Sequence, residues 1–141
     1  MSTFVWPVRV YYEDTDGGGV VYHTNYLKFM ERARTEWLRS LGFNQSELRD
    51  ELGVIFVVRS VALQYRRSAY FDDALIVKTS LSRTGRSLLV FDQIIYRNET
   101  VLTEATVEVV CVSSSEFKPV SLPTAIRQAI ETQISTQAES E

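Results

Sequence analysis

The chain has 141 residues, 45% of them hydrophobic and 23% charged, enough for one domain with a substantial core. Its net charge is −3 and its pI is about 5.3, and without a sustained basic stripe nucleic-acid binding has no electrostatic basis. One cysteine rules out an intrachain disulfide, and one cysteine with one histidine cannot furnish a structural zinc site, so no metal or cofactor is expected.

In chain order, Met1–Pro7 lacks the basic start and apolar core of a secretory signal, and no apolar run is long enough to span a bilayer. A cytoplasmic location is the expectation. Val8–Glu13 reads as a first strand, with Val8, Val10 and Tyr12 on one face. A connector containing Gly17-Gly18-Gly19 follows. Over Thr24–Leu41, Tyr26, Met30, Ala33, Trp37 and Leu41 recur at helical steps, flanked by Leu27, Phe29 and Leu38. This predicts a long helix with one wide buried face, an Arg32–Glu36 pair at i,i+4, and a left-handed stop at Gly42. Asn44 to Glu47 has capping-box spacing and opens a short helix to about Leu52.

Beyond Gly53 the pattern is β: Val54–Arg66, Ala74–Arg83, Ser87–Arg97 and Val101–Ser113. The turns around Gly85 and Asn98 are short enough to join antiparallel neighbours. Cys111, within Val109–Val112, reads as a small buried hydrophobe. Thr124–Ile130 is predicted as a last helical turn or two, and the polar tail 131–141 as disordered. Strand, long helix and strand meander indicate a single α+β domain over 1–130, its antiparallel sheet wrapped around the helix.

The chemistry concentrates between Tyr12 and Tyr26, which holds three acids, the three glycines and the only histidine, His23. The glycine spacing fits neither a dinucleotide fingerprint nor a phosphate loop. A calcium loop fails at Gly18 and Asn25. Asp16 is either a turn residue or a carboxylate beside a helix N-terminus, able to attack a carbonyl or activate water. The first amides of the helix lack internal partners, so the His23 N–H is a candidate oxyanion donor, whatever its imidazole does. Thr24 and Asn25 fit capping or substrate contact equally. Tyr22 and Tyr26 line apolar space. The turn Arg83-Thr84-Gly85-Arg86-Ser87 is a solvated tip or a recognition site for a phosphate-bearing substrate.

Val8–Asp16, followed by Gly19–His23 and Asn25-Tyr26, resembles the signature of the hotdog-fold acyl-CoA thioesterases of the 4-hydroxybenzoyl-CoA thioesterase family. Glu31–Glu36 makes the Tol–Pal-associated branch the most similar. Weaker echoes follow in order at Leu63–Ala69, Asp72-Asp73, Gly85–Ser87 and Lys118-Pro119. The resemblance implies a hotdog fold, an acyl-CoA substrate, and active sites shared between subunits of a homodimer or homotetramer. It implies Asp16 as catalytic carboxylate and His23 as the position whose amide binds the thioester oxygen and whose side chain is histidine in this branch. Tyr22 and Asn25, read from their place beside His23, are further substrate-binding candidates. Arg86 and Ser87, beside Arg83, fall where some members contact the nucleotide of CoA. Two departures are Ser68, where proline is common, and Gly18, where alanine is frequent. The competing readings are a hotdog dehydratase or hydratase, a non-catalytic module for acyl-CoA or an acyl carrier protein, and a structural partner in an envelope-associated complex.

Overall fold

The computed structural model describes residues 3–140, with side chains through 133. Five strands, β1 (Thr3–Arg9), β2 (Val54–Tyr65), β3 (Ala74–Thr84), β4 (Leu88–Arg97) and β5 (Thr100–Ser113), form one antiparallel sheet ordered β1-β3-β4-β5-β2. The long helix α1 (Asn25–Ser40) packs on its inner face, giving the α+β hotdog arrangement. Tyr26, Phe29, Met30, Ala33 and Trp37 are its buried stripe. They meet alternate residues of the strands: Leu75 and Val77 of β3, Phe91 and Ile95 of β4, Val107 and Cys111 of β5. Trp37 packs edge-on against Phe91, ring centres 5.1 Å apart.

One polar group lies inside this apolar layer. Gln93 of β4 has no exposed surface. Its Nε2 donates to the Met30 carbonyl and to Thr79 Oγ1, both at 2.9 Å, and its Oε1 accepts from Arg34 Nη1 at 2.9 Å. Thus one side chain bonds the middle of α1 to the middle of the sheet. Burial lowers the pKa of Arg34, partly opposed by nearby Glu31.

Strands β2 to β5 lie where the β-rich runs predict them, within a residue or two at each end. Gly42 takes the left-handed stop, with φ of 94°. The first strand does not lie at Val8–Glu13. It occupies Thr3–Arg9, with Phe4, Trp6 and Val8 inward, and the chain leaves the sheet after Val10. Tyr12–Asp14 is a 3₁₀ turn, so Tyr12 is exposed rather than sharing a face with Val8. Pro7 is compatible with β1 because β1 is an edge strand.

Three smaller differences follow from side-chain competition. Glu36 pairs with Arg39, not Arg32. Leu27 is partly exposed, at the mouth of a groove between α1 and the sheet. Asn44 Oδ1 accepts from the amide and hydroxyl of Ser46, so α2 (Gln45–Glu47) starts without the Glu47 half of a capping box and widens into a π turn over Leu48–Leu52. Where a disordered tail is expected from 131 onward, α3 runs over Thr124–Ser140. Ile126 and Ile130, one turn apart, seat it in the core. Among the described residues no helix is long and apolar enough to cross a membrane.

Replacing Gln93 with Leu should destabilise the protein by about 2–4 kcal/mol in urea unfolding, because Thr79 and Arg34 lose their buried partner. Cys111 is fully buried, and burial pushes its thiol up to about 11 from 9. It should be silent to a thiol reagent at pH 8 in the native protein and react fully in denaturant. The unfolded thiol ionises first, so this group should lower stability as pH rises from 9 towards 11.

Candidate active site

The segment between β1 and α1 is organised by the second of its three acids after Tyr12. Asp14 is buried. Its Oδ2 accepts from the Tyr11 amide and its Oδ1 from Asn25 Nδ2, each at 2.9 Å. The chain then makes a narrow hairpin in which Thr15 bridges Val21, the Asp16 amide donates to the Val20 carbonyl, and the Tyr22 amide donates to the Asp14 carbonyl. Gly17 and Gly19 hold the tip at φ of 91° and 86°, where any side chain would be strained. Gly18 has an ordinary φ, so alanine suits that position on backbone grounds.

A second loop clamps this hairpin. The Val21 amide donates to the Ala69 carbonyl and the Phe71 amide to the Gly19 carbonyl, while Val20 bridges Tyr70. Buried Tyr26 accepts from the Ala69 amide at 2.9 Å through its hydroxyl oxygen, and burial raises the pKa of that hydroxyl. Arg97 braces the clamp from β4, donating to Asp73 Oδ2 at 2.9 Å and to the Ser68 carbonyl at 3.0 Å.

At the tip, Asp16 Oδ1 accepts from the Gly18 amide at 2.9 Å; Oδ2 has no partner among the described residues. His23 stands just before α1, its ring centre 4.6 Å from that of Tyr22 and 6.1 Å from that of Tyr65. The Tyr65 hydroxyl donates to the His23 carbonyl at 2.7 Å. Thr24 occupies the N-cap position without a side-chain cap bond. The amides of Tyr22 and Asn25 are bonded locally, whereas those of His23 and Thr24 have no partner among the described residues. Two adjacent N–H donors at the positive end of a sixteen-residue helix can hold a developing negative oxygen.

Asp16, Tyr22 and His23 are all exposed, Asp16 at the tip of the hairpin and the Tyr22–His23 ring pair where the hairpin returns to α1. Asn25 does not join them: its carboxamide is turned inward onto Asp14, because a buried carboxyl requires that donor. Asp16 is exposed in the single chain. A groove of about 370 Å³ begins at Leu27, one turn along α1, and is walled by Lys28, Arg34, Phe56, Val61 and Phe91, but not by Asp16 or His23. Arg83, Arg86 and Ser87 lie at the opposite end of β3, roughly 30 Å away at the rise of a strand. There Arg86 Nε donates to Ser121 Oγ, the Ser87 carbonyl accepts from the Cys111 amide, and Arg127 holds the Gly85 and Arg86 carbonyls. Arg83 approaches Glu108 at 4.0 Å. Bonding to Arg59 holds the Glu108 carboxyl below its ordinary pKa.

Sequence reasoning misses Asp14, Tyr65 and the Tyr26 hydroxyl. Nothing in one dimension separates Asp14 from its acidic neighbours, although its spacing of eleven from Asn25 lets the two meet across the hairpin.

Residues 18–104 match the family model described as the thioesterase superfamily. The chain is 48% identical over 126 residues to the acyl-CoA thioesterase YbgC of Haemophilus influenzae, and 50% identical over the same length to the acyl-CoA thioester hydrolase YbgC of Escherichia coli O157:H7. In both cases 89% of this chain and 93% of the relative are covered. Among solved structures, a DHNA-CoA thioesterase from Staphylococcus aureus superposes with a TM-score of 0.88 at 25% identity, covering 100% of this chain and 97% of that one. A probable thioesterase from Bartonella henselae gives 0.83 at 38%, covering 86% and 100%.

Asn25→Ala should lower stability by about 1–3 kcal/mol in urea unfolding, since Asp14 Oδ1 would be left buried without its donor.

Proposed function

The chain belongs to the thioesterase superfamily and is a thioester hydrolase, and from that premise we propose how its exposed corner cleaves an acyl-CoA. The observation that carries the reading is the pair of unpartnered amides of His23 and Thr24 beside the Asp16 hairpin. The thioester oxygen accepts from these amides, led by that of His23. Charge that develops on this oxygen during attack is then stabilised by donors already in place.

Asp16 supplies the attacking group. The Gly18 amide restrains Oδ1 and leaves Oδ2 to react. Oδ2 adds to the carbonyl carbon to give an anhydride that water then hydrolyses, or it takes a proton from the water that attacks. In either route the C–S bond breaks, CoA leaves as its thiolate and the acyl group departs as a free acid. A thiolate is a good leaving group, so no strong acid is required opposite it. The His23 ring, beside Tyr22, is placed to orient water or the departing sulfur. A dehydratase would need a histidine–acid pair, and among the described residues His23 and Asp16 make no hydrogen bond to each other.

A site this open is completed by a second copy. β2 is an edge strand of twelve residues, without proline and with Val58 and Val61 exposed at 48% and 42%. The other edge, β1, contains Pro7. The Val10 N–H and C=O both engage the Asp72–Asp73 main chain, so by alternation the Pro7 nitrogen faces the open side, where it has no proton to donate. Antiparallel pairing of two β2 strands brings the Arg83–Ser87 turn of one copy towards the Asp16 corner of the other. That basic turn is suited to the phosphates of CoA. The same pairing roofs the groove that starts at Leu27, whose apolar floor suits an acyl chain. The functional unit in this reading is a homodimer, or a homotetramer built from it, acting on acyl-CoA in the cytoplasm.

Asp16→Asn and Asp16→Ala should each reduce kcat by about 100-fold or more in a thiol-release assay, with the thermal midpoint unchanged. Full turnover by either variant on the best acyl-CoA overturns the assignment.

A further inference from the structure

We propose that Tyr65 is a positioning residue for the oxyanion-binding peptide and couples it to edge strand β2. This rests on the hydrolase reading above. Tyr65 closes β2, and its hydroxyl lies 2.7 Å from the His23 carbonyl oxygen. That carbonyl and the Thr24 N–H belong to the same planar peptide and point in opposite directions. Holding the oxygen therefore aims the hydrogen. The bond also draws electron density onto the carbonyl oxygen, which makes the Thr24 N–H a stronger donor.

The local backbone leaves this task to Tyr65. The Leu27 amide closes a tight turn onto the Thr24 carbonyl at 3.2 Å, not onto His23. Tyr65 is the hydrogen-bond partner of the His23 carbonyl among the described residues. Its ring is steadied by edge contacts to Tyr26 at 5.4 Å and to His23 at 6.1 Å. Burial raises the pKa of its hydroxyl, so it remains a donor throughout neutral pH. β2 is also the strand assigned to subunit pairing, so ordering that edge and aiming the Thr24 amide become one event.

The test is Tyr65→Phe in the full-length protein, which removes the hydroxyl and keeps the ring. The expected result is a kcat lower by about 10-fold, a smaller loss than deleting an oxyanion donor outright. KM, thermal midpoint and native mass should stay near wild type. In the ¹H–¹⁵N spectrum the Thr24 amide should move upfield, while amides in β3 and β4 stay fixed. Wild-type kcat with an unmoved Thr24 resonance overturns the proposal, as does a kcat loss that simply tracks a fall in thermal midpoint. Asp16→Asn run alongside separates the two readings. An inactive Asp16→Asn beside a fully active Tyr65→Phe removes the role of Tyr65 and leaves the hydrolase standing. An impaired Tyr65→Phe beside an active Asp16→Asn keeps Tyr65 and removes Asp16.

Discussion

The buried bond between Asp14 and Asn25 determines where helix α1 begins relative to everything before it. A helix start is ordinarily settled by an N-cap side chain that consumes one of the free amides, worth about 1 kcal/mol. Thr24 makes no such bond. The start is instead fixed one residue further on, by the carboxamide of Asn25 reaching back across the hairpin to a carboxyl that also holds the Tyr11 amide. The helix is thus anchored without spending the donors at its tip. This contact ties the hairpin that carries Asp16 to the first turn of the helix.

The rest of the seat is supplied from the sheet. The Gln93 side chain reaches the backbone of α1 and two side chains at once, and apolar packing alone would not specify that register. Arg97 does for the second clamp what Gln93 does for the helix, pairing with Asp73 while bonding to the Ser68 carbonyl. The Ser68 carbonyl, not its side chain, accepts the Arg97 bond, so the clamp does not depend on serine there.

Much of this was legible in one dimension, for identifiable reasons. β3 alternates between buried and open positions because one face is core, β2, β4 and β5 are long β-rich runs bounded by turn residues, and α1 carries a full buried stripe ended by Gly42. The first strand was not legible, because Val8, Val10 and Tyr12 alternate as well as Phe4, Trp6 and Val8 do. What separates them is the Asp14 carboxyl, which folds Tyr12–Asp14 into a turn. Asp16 and His23 stood out because glycines and a lone histidine are conspicuous. Asp14, Tyr65 and Gln93 did not, because their importance lies in partners 11, 42 and 63 residues away. The basic turn stood out in the sequence as either a solvated tip or a phosphate-recognition site, and its distance from Asp16 within a chain is a property of strand length.

The proline in β1 bears on how far the protein can grow. A sheet with two receptive edges is a repeat unit: each addition exposes a fresh edge, and the product is a fibril of unlimited length. Blunting one side with a nitrogen that cannot donate makes association self-limiting. In the proposed dimer, two chains joined along β2 would turn their proline-bearing β1 edges outward, so a long strand with exposed valines could be used for joining without the hazard of runaway polymerisation.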